Sequence, residues 1–311
     1  KGVRRIAFTN KASNNINGQT IHKFFGIDKA STLNLQQLRK RMGGVKVVCI
    51  DEISMIGQSL WKHIYFVKKY FSDVVFLLCG EEAQLPPIEE NDLIGGYFKH
   101  PTIMMMCDYT YASLILTDKC RYDRVLYDYL TNIKDEKRNP PRPVRNATLE
   151  DYLSGTNLVY TNKRRMSINT ILNKYYSIQA TEYLLAEWEK EDEEVVGEKY
   201  RQTTMIYVGL PLLVFAMDTI NGLIKNTIHI VKSVDITTAT FALEDNTGEF
   251  VVADINKKFI MAYATTIHKA QGDTIDGQLN IHEYYRIQDN KRLYYTAVSR
   301  GRALENIKYY T

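Results

Sequence analysis

Val47-Val48-Cys49-Ile50-Asp51-Glu52 is the stretch on which the reading of this chain turns. An unbroken apolar run closed by two acids has the pattern of a strand covered on both faces in a parallel sheet. Carboxylates at the C-terminal end of such a strand lie where open α/β sheets bind their ligands. The neighbouring sequence supports the same architecture. Residues 5–9 read as a short strand and residues 33–42 as a helix stopped by Gly43-Gly44. Residues 60–70 read as a helix, and residues 73–79 as a second buried strand. Strands alternating with helices predict an α/β fold built on parallel sheets.

Composition fits this reading. The 311 residues are 45% hydrophobic and 24% charged, which excludes disordered and fibrous classes and suggests about two domains. No apolar run approaches the ~18 residues of a membrane span, and no signal peptide is expected. Of the four cysteines, Cys49 and Cys79 sit in apolar runs, and no C-x-x-C pair occurs. Buried free thiols in an intracellular, reducing compartment (nucleus, cytoplasm or a viral replication site) are expected, and a zinc site is not.

The net charge of +4 hides an asymmetry. Residues 1–50 carry ten Lys/Arg and a single acid, Asp28, a balance that suits a polyanion partner. Residues 182–198 carry eight acids and one base, and read as an exposed helix or loop. The Pro cluster at residues 139–143 marks a hinge. The texture of residues 227–253 predicts β-hairpins, taken as a small β insert. Two internal echoes link the halves. Ile6-Ala7-Phe8-Thr9-Asn10-Lys11 resembles Leu158-Val159-Tyr160-Thr161-Asn162-Lys163, and Thr20-Ile21-His22-Lys23 recurs as Thr266-Ile267-His268-Lys269. They favour two related α/β units.

Four segments carry chemistry. In a nucleotide hydrolase, the first acid of Asp51-Glu52 holds Mg²⁺ and the second deprotonates the attacking water. Gly80 opens a second segment running through Gln84 to Pro86-Pro87, in which Gly80 lets the chain turn and Gln84 is fit to sense a γ-phosphate. Residues 262–274 predict a strand turning into a helix capped by Thr266. Residues 293–302 predict a helix ending in arginine. Arg300 there is either a finger on a transferring phosphoryl group or a solvated helix end.

In this order the segments resemble superfamily 1 DNA helicases, specifically the RecD-like and Pif-type branch known as superfamily 1B. The resemblance spans nearly the whole chain. It implies two RecA-like parallel-sheet domains with a small β-barrel-like insert in the second. The boundaries it suggests are 1–118 for the first domain, 119–145 for a connector, and 146–311 for the second domain, with the insert at about 222–258. It implies ATP and Mg²⁺ as cofactors, with Asp51 as the metal ligand. Asp51, Glu52, Gln84, Arg121 and Arg300 would be catalytic, with Arg121 at the γ-phosphate. Gln271, Gly272 and Asp273 would touch the nucleotide. Asn10, Thr20, His22, Pro86, Thr266, His268 and Lys269 would meet DNA, as single strands and single-strand/duplex junctions. The implied activity is 5′–3′ translocation and unwinding in replication or repair.

Two departures qualify the resemblance. The family's Asn-Gly pair is displaced: Asn226 precedes Thr227, while Asn221-Gly222 lies just before. More important, no G-x-x-x-x-G-K-[ST] phosphate loop occurs in the chain. The expectation is a C-terminal piece of a longer protein, inactive in hydrolysis by itself, with an upstream domain such as a primase. The alternatives are a nucleic-acid-binding relative without hydrolysis, and a metal-dependent nuclease at Asp51-Glu52. The nuclease needs more converging carboxylates than spacing identifies. Richness in Tyr, Asn, Ile and Lys fits an A+T-rich genome such as that of a large DNA virus.

Overall fold

The strand that opens the sequence reading is β3, Val47–Asp51, the third in chain order of a parallel four-stranded sheet ordered β2-β1-β3-β4. The computed structural model describes residues 2–27, 32–87, 103, 105, 122–135, 145–191, 199–218, 220–245 and 248–311. Cys107, Cys120, Arg121, the Pro cluster and residues 192–198 lie outside the described residues. Two compact units emerge, the first of residues 1–121, 130–136 and 290–296, the second of residues 122–129, 137–289 and 297–311. No helix of the described residues is long and apolar enough to cross a membrane.

In the first unit, β1 (Val3–Ala7) leads to α1 (Asn10–Asn15), β2 (Gln19–Thr20), α2 (Ile21–Phe25) and α3 (Leu35–Met42). After β3 come α4 (Gln58–Tyr70) and β4 (Val75–Leu78). Helix α4 buries Leu60, Trp61, Ile64 and Val67, the stripe a 3.6-residue period lays on one face. These pack with Ile6, Val48 and Ile50 from the sheet. Gly26, at φ 73°, closes α2 in the left-handed region that glycine adopts without a Cβ penalty. Strand β4 departs from expectation. It forms an edge of the described sheet, and its residues alternate, leaving Val75 59% and Leu77 52% exposed. The apolar run predicts burial on both faces, but only the face toward α4 is covered among the described residues. Cys79, just beyond it, is likewise exposed rather than buried.

In the second unit, α5 (Arg124–Lys134, whose later residues fall in the first unit) and α6 (Leu149–Leu153) precede β5 (Thr156–Val159) and α7 (Asn162–Ser177). The β-rich stretch that follows runs from residue 184 to residue 261, longer than the hairpin signal alone marks. It begins with an antiparallel pair, β6 (Leu184–Glu191) and β7 (Lys199–Ile206). Residues 184–191 of the acidic segment are therefore a strand, not the helix or loop expected. Leu184 and Ala186 are buried while Leu185 and Glu187 are exposed, a period of two that the charges mask. Strands β8 (Pro211–Val214), β9 (Ile228–Asp235), β10 (Thr240–Leu243), β11 (Glu249–Val251) and β12 (Phe259–Met261) form an antiparallel sheet ordered β11-β10-β9-β8-β12. Phe241, Phe250 and Phe259 pack edge-on and tilted in its core, with centroids 5.3–5.8 Å apart. Helix α8 (Ile255–Lys258) leads into β12.

The chain then returns to parallel pairing. Strands β13 (Ala264–Thr266), β14 (Leu279–Ile281) and β15 (Ile307–Tyr309) join β5 in the order β13-β5-β14-β15, with α9 (Tyr284–Ile287) and α10 (Lys291–Val298) between β14 and β15. Two expectations are corrected here. Thr266 is followed by turns rather than a helix, and the turn run ends at Gly272, whose φ of 85° a right-handed helix cannot hold. Helix α10 stops at Val298, before Arg300.

Candidate functional site

Asp51 is the last residue of β3, and Glu52 follows at φ 52°, ψ 47°. That left-handed conformation, uncommon for a residue with a Cβ, turns the chain away from the sheet edge. Both acids are half-buried. The Asp51 carboxylate makes no hydrogen bond or ion pair among the described residues, so it is available to a cation. Mg²⁺ is held by one or two carboxylates plus substrate oxygens and water. A single unengaged carboxylate at a strand end fits that requirement. No group of three or more metal-ligating side chains occurs among the described residues.

The Gly80–Gln84 segment is tied to this strand end. Ile53 N donates to Cys79 O at 3.1 Å, and Cys79 N donates to Ile50 O at 2.8 Å. A Cβ on Gly80 would lie 2.5 Å from Ile53 Cγ1. Glycine is thus required here for close approach, not for a positive φ. Gln84 is buried, and its amide donates to Glu81 Oε2 at 3.4 Å. Glu81 collects further donors. Tyr295 Oη donates at 2.6 Å, and Lys134 Nζ pairs with it. Burial pushes the Glu81 carboxyl up, but the donors outweigh it and the net shift is downward. Leu85 N donates to Thr296 Oγ1 at 3.1 Å, fixing the chain just before Pro86. Glu81, Tyr295 and Lys134 have no sequence signal of their own. Lys134 and Tyr295 lie far from Glu81 in the chain, and no local pattern announces the cluster.

The first nucleic-acid segment begins at Thr9, whose Oγ1 accepts from Ala12 N at 3.1 Å and so caps α1 at Asn10. Thr20 Oγ1 accepts from Lys23 N at 3.3 Å. His22 is exposed, 6.1 Å from the Phe8 ring, and so is not a core histidine. Partial burial, then His63, lower its pKa.

In the second unit the same devices recur. Thr161 Oγ1 accepts from Arg164 N at 3.1 Å at the head of α7. Thr266 Oγ1 accepts from Lys269 N at 3.4 Å, capping a turn. His268 is half-buried, and burial lowers its pKa. Gln271 is buried, and Gly272 and Asp273 are partly exposed. Arg300 is fully buried, donating to Asp273 O at 3.1 Å and Ser299 Oγ at 2.8 Å. It is therefore not a solvated helix end. One residue escaped the sequence reading altogether. Glu283 accepts from Tyr160 N (2.9 Å), Thr161 N (2.9 Å) and Thr161 Oγ1 (2.8 Å).

Residues 1–90 match an AAA domain. Among curated proteins, the chain is 23% identical to the ATP-dependent DNA helicase Pif1 of Bdellovibrio bacteriovorus over 314 aligned residues, covering 87% of this chain and 70% of that protein. It is 31% identical over 112 residues to the ATP-dependent DNA helicase PIF1 of Candida albicans, of which it spans 12%. Bacteroides Pif1 bound to single-stranded DNA superposes with a TM-score of 0.67 at 18% identity, over 99% of this chain and 82% of that one. The chain shares its fold with this Pif1 structure. Within that Pif-type fold, the two parallel sheets are the RecA-like α/β elements the motifs imply.

Proposed function

We propose that this chain is the motor region of an ATP-dependent DNA helicase that moves 5′–3′ along single strands and opens duplex DNA during replication or repair. The observation that carries the reading is Asp51-Glu52 at the end of a parallel strand, tied through Ile53 and Cys79 to the segment holding Gln84. The names of the Pif1 relatives, both ATP-dependent DNA helicases, support it. In this reading residues 1–118 and 146–311 are the two RecA-like domains, 119–145 connects them, and the β insert lies within the second. Its setting is intracellular, with single strands and junctions as partners and a primase as one upstream fusion. The bacterial and yeast relatives lend no support to a viral source, which rests on composition alone.

Asp51 would hold Mg²⁺, which neutralises phosphate charge when bound. Glu52 would take the proton of the attacking water. Gln84, held by Glu81, would report the γ-phosphate to the chain around Pro86. Arg300 and Arg121 would stabilise charge on the transferring phosphoryl group, with Gln271, Gly272 and Asp273 against the nucleotide. Asn10, Thr20, His22, Pro86, Thr266, His268 and Lys269 would grip the strand. The test is ATP turnover with and without single-stranded DNA, in protein supplied with a phosphate loop. Stimulation by DNA is expected, and its absence refutes the motor. A nucleic-acid-binding module without hydrolysis is the alternative, and it is disfavoured by the presence of Asp51, Glu52, Gln84, Arg121 and Arg300. Labelled DNA with Mg²⁺ and no ATP should stay uncut, and cleavage would favour a nuclease.

A further inference from the structure

Arg165 lies in the first turn of α7 and is only 7% exposed. Its Nε donates to Asn162 Oδ1 at 3.3 Å. No carboxylate pairs with it among the described residues, and its terminal amino groups meet no protein acceptor there. A guanidinium stays charged at any pH a protein experiences. Burying it without a counter-charge costs several kcal/mol in typical proteins. The basic residues around it in sequence, Lys163 and Arg164, do not compensate it.

The side chain lines a cavity shared with Thr204 of β7, Ile255 and Asn256 of α8, and β12. Thr204 is 5% exposed and its hydroxyl makes no hydrogen bond among the described residues. Asn256 donates its amide to Glu187 O, which leaves its carbonyl oxygen and second N–H for the cavity. The walls are otherwise apolar, from Ile255, Phe259, Ile260 and Met261. A planar fork of donors, a hydroxyl and an amide, with no acid among the described residues that line the cavity, match a tetrahedral oxyanion. None of these residues belongs to the motifs of the proposed motor.

We propose that Arg165, Thr204 and Asn256 form an anion site that takes a phosphate group, where α7 packs on the β-rich stretch. Free phosphate and a nucleic-acid phosphodiester share this chemistry. The proposal does not rest on the motor reading, and its phosphate arm stands or falls without it.

The 311-residue chain is melted in sodium phosphate and in sodium chloride at equal ionic strength, and its binding to a labelled oligothymidine is titrated at several salt concentrations. Phosphate is expected to raise the midpoint of the wild-type chain, with Arg165→Gln weakening its affinity at least about tenfold, as for a lost charge-assisted bond. If the phosphate comes from a strand, Arg165→Gln lowers the log–log salt slope by about 0.7. A phosphate-specific midpoint shift that Arg165→Gln removes, without a slope change, assigns free phosphate, and a slope change alone assigns the polynucleotide. A shift that persists in Arg165→Gln is the general salt effect and overturns the phosphate arm. Equal midpoints in both salts together with an unchanged slope overturn the site. Should Arg165→Gln fail to fold, Thr204→Val, which keeps the shape, replaces it: weakened phosphate binding or a weakened strand complex supports the site, and unchanged affinity for both overturns it.

Discussion

Thr266 pairs with Val159 across the second parallel sheet in the register in which Thr20 pairs with Ala7 across the first. The two sequence echoes thus occupy equivalent positions. In each unit a strand runs into a threonine that caps an Asn-Lys segment, and the neighbouring strand ends in a threonine that accepts from the lysine amide three residues on. The echoes diverge where the units differ. Asn17 ends the first helix region at φ 49°, whereas Asn169 is buried within α7, donating to Met261 O and accepting from Ala264 N at 2.8 Å each. In the second unit that asparagine stitches the β-rich stretch to the parallel sheet, a task with no counterpart in the first.

Glu283 should be a stability residue of the second unit. Its carboxylate satisfies two backbone N–H groups and the Thr161 hydroxyl at the head of α7. Glu283→Ala should destabilise by about 2 kcal/mol, the scale of lost hydrogen bonds to a charged group. Glu283→Gly should cost less, because glycine relieves the backbone at φ 59°. Urea unfolding of the two variants checks both the loss and its order.

Gly80→Ala should disturb the candidate site without touching an acid. The added Cβ meets Ile53 Cγ1 at 2.5 Å, and Ile53 is fully packed beneath Asp51-Glu52. Overpacking of this kind typically costs about 1–3 kcal/mol. The expected result is a lower melting midpoint, and a smaller loss from Gly80→Ala in an Ile53→Ala background, which removes Cγ1. An equal loss in that background would place the damage elsewhere.

Much of this architecture is legible in sequence because it is local. The apolar run before Asp51 and the Gly43-Gly44 stop after α3 act over a few residues, and both appear where expected, whereas Thr266 caps a turn instead of the expected helix. What sequence hides is long-range or masked. Charge on Glu187 conceals the two-residue period of β6. The run at residues 75–78 is apolar enough for double burial, but its exposure depends on what packs on that face. Gly272 ends the turns after Thr266, a choice between turn and helix that the Thr-Ile-His-Lys pattern does not contain. Glu81, Tyr295 and Lys134 meet only through the fold, as do Glu283 and Thr161. Arg121 lies outside the described residues.

Acid sensitivity should trace to His282. The ring is fully buried, stacked on Tyr310 at 5.2 Å and tilted against Tyr152 at 5.4 Å, with Nε2 donating to Asn157 Oδ1 at 2.9 Å. Burial, then Arg164, push its pKa down from 6.5 to about 3. Between those values the unfolded chain binds the proton and the folded chain does not, so stability falls as pH drops through that window. His282→Phe should flatten the profile between pH 6.5 and 4, while costing about 1 kcal/mol at neutral pH for the orphaned Asn157. Asp151, held at about 2 against burial by Thr148, Tyr310 and Arg145, adds a separate loss below about pH 4 that this variant should retain. Melting curves across pH distinguish the two.

Turnover should depend on Glu52 through chemistry alone. In protein carrying a phosphate loop, Glu52→Gln keeps the shape of the strand end and removes the base, so hydrolysis should drop by ~10²–10⁴ with nucleotide binding retained. The 311-residue chain without that loop should hydrolyse slowly whatever stands at position 52. Arg300→Lys, which keeps charge near Asp273 O but loses the fork, should also slow turnover, on the order of 10³ if the guanidinium meets the phosphoryl group. Wild-type rates in both variants would remove the two residues from the reaction.

The two histidines should contact a strand as neutral groups. Burial lowers the pKa of both below the ordinary histidine value, with His63 adding to the effect at His22, which favours the neutral form. A neutral imidazole donates one hydrogen bond or stacks on a base, contributions of about 1–3 kcal/mol that release no counterion. His22→Ala and His268→Ala should therefore each weaken binding to a labelled single strand, roughly five- to a hundredfold, and leave the salt slope unchanged. Lys23→Ala and Lys269→Ala, on exposed side chains one residue on, should instead lower that slope by about 0.7 each. Titrations at four salt concentrations separate the two behaviours. Affinity unmoved by either histidine would take both Thr-Ile-His-Lys segments out of the DNA path, and a slope that changes with histidine removal would mean that the imidazoles bind as cations.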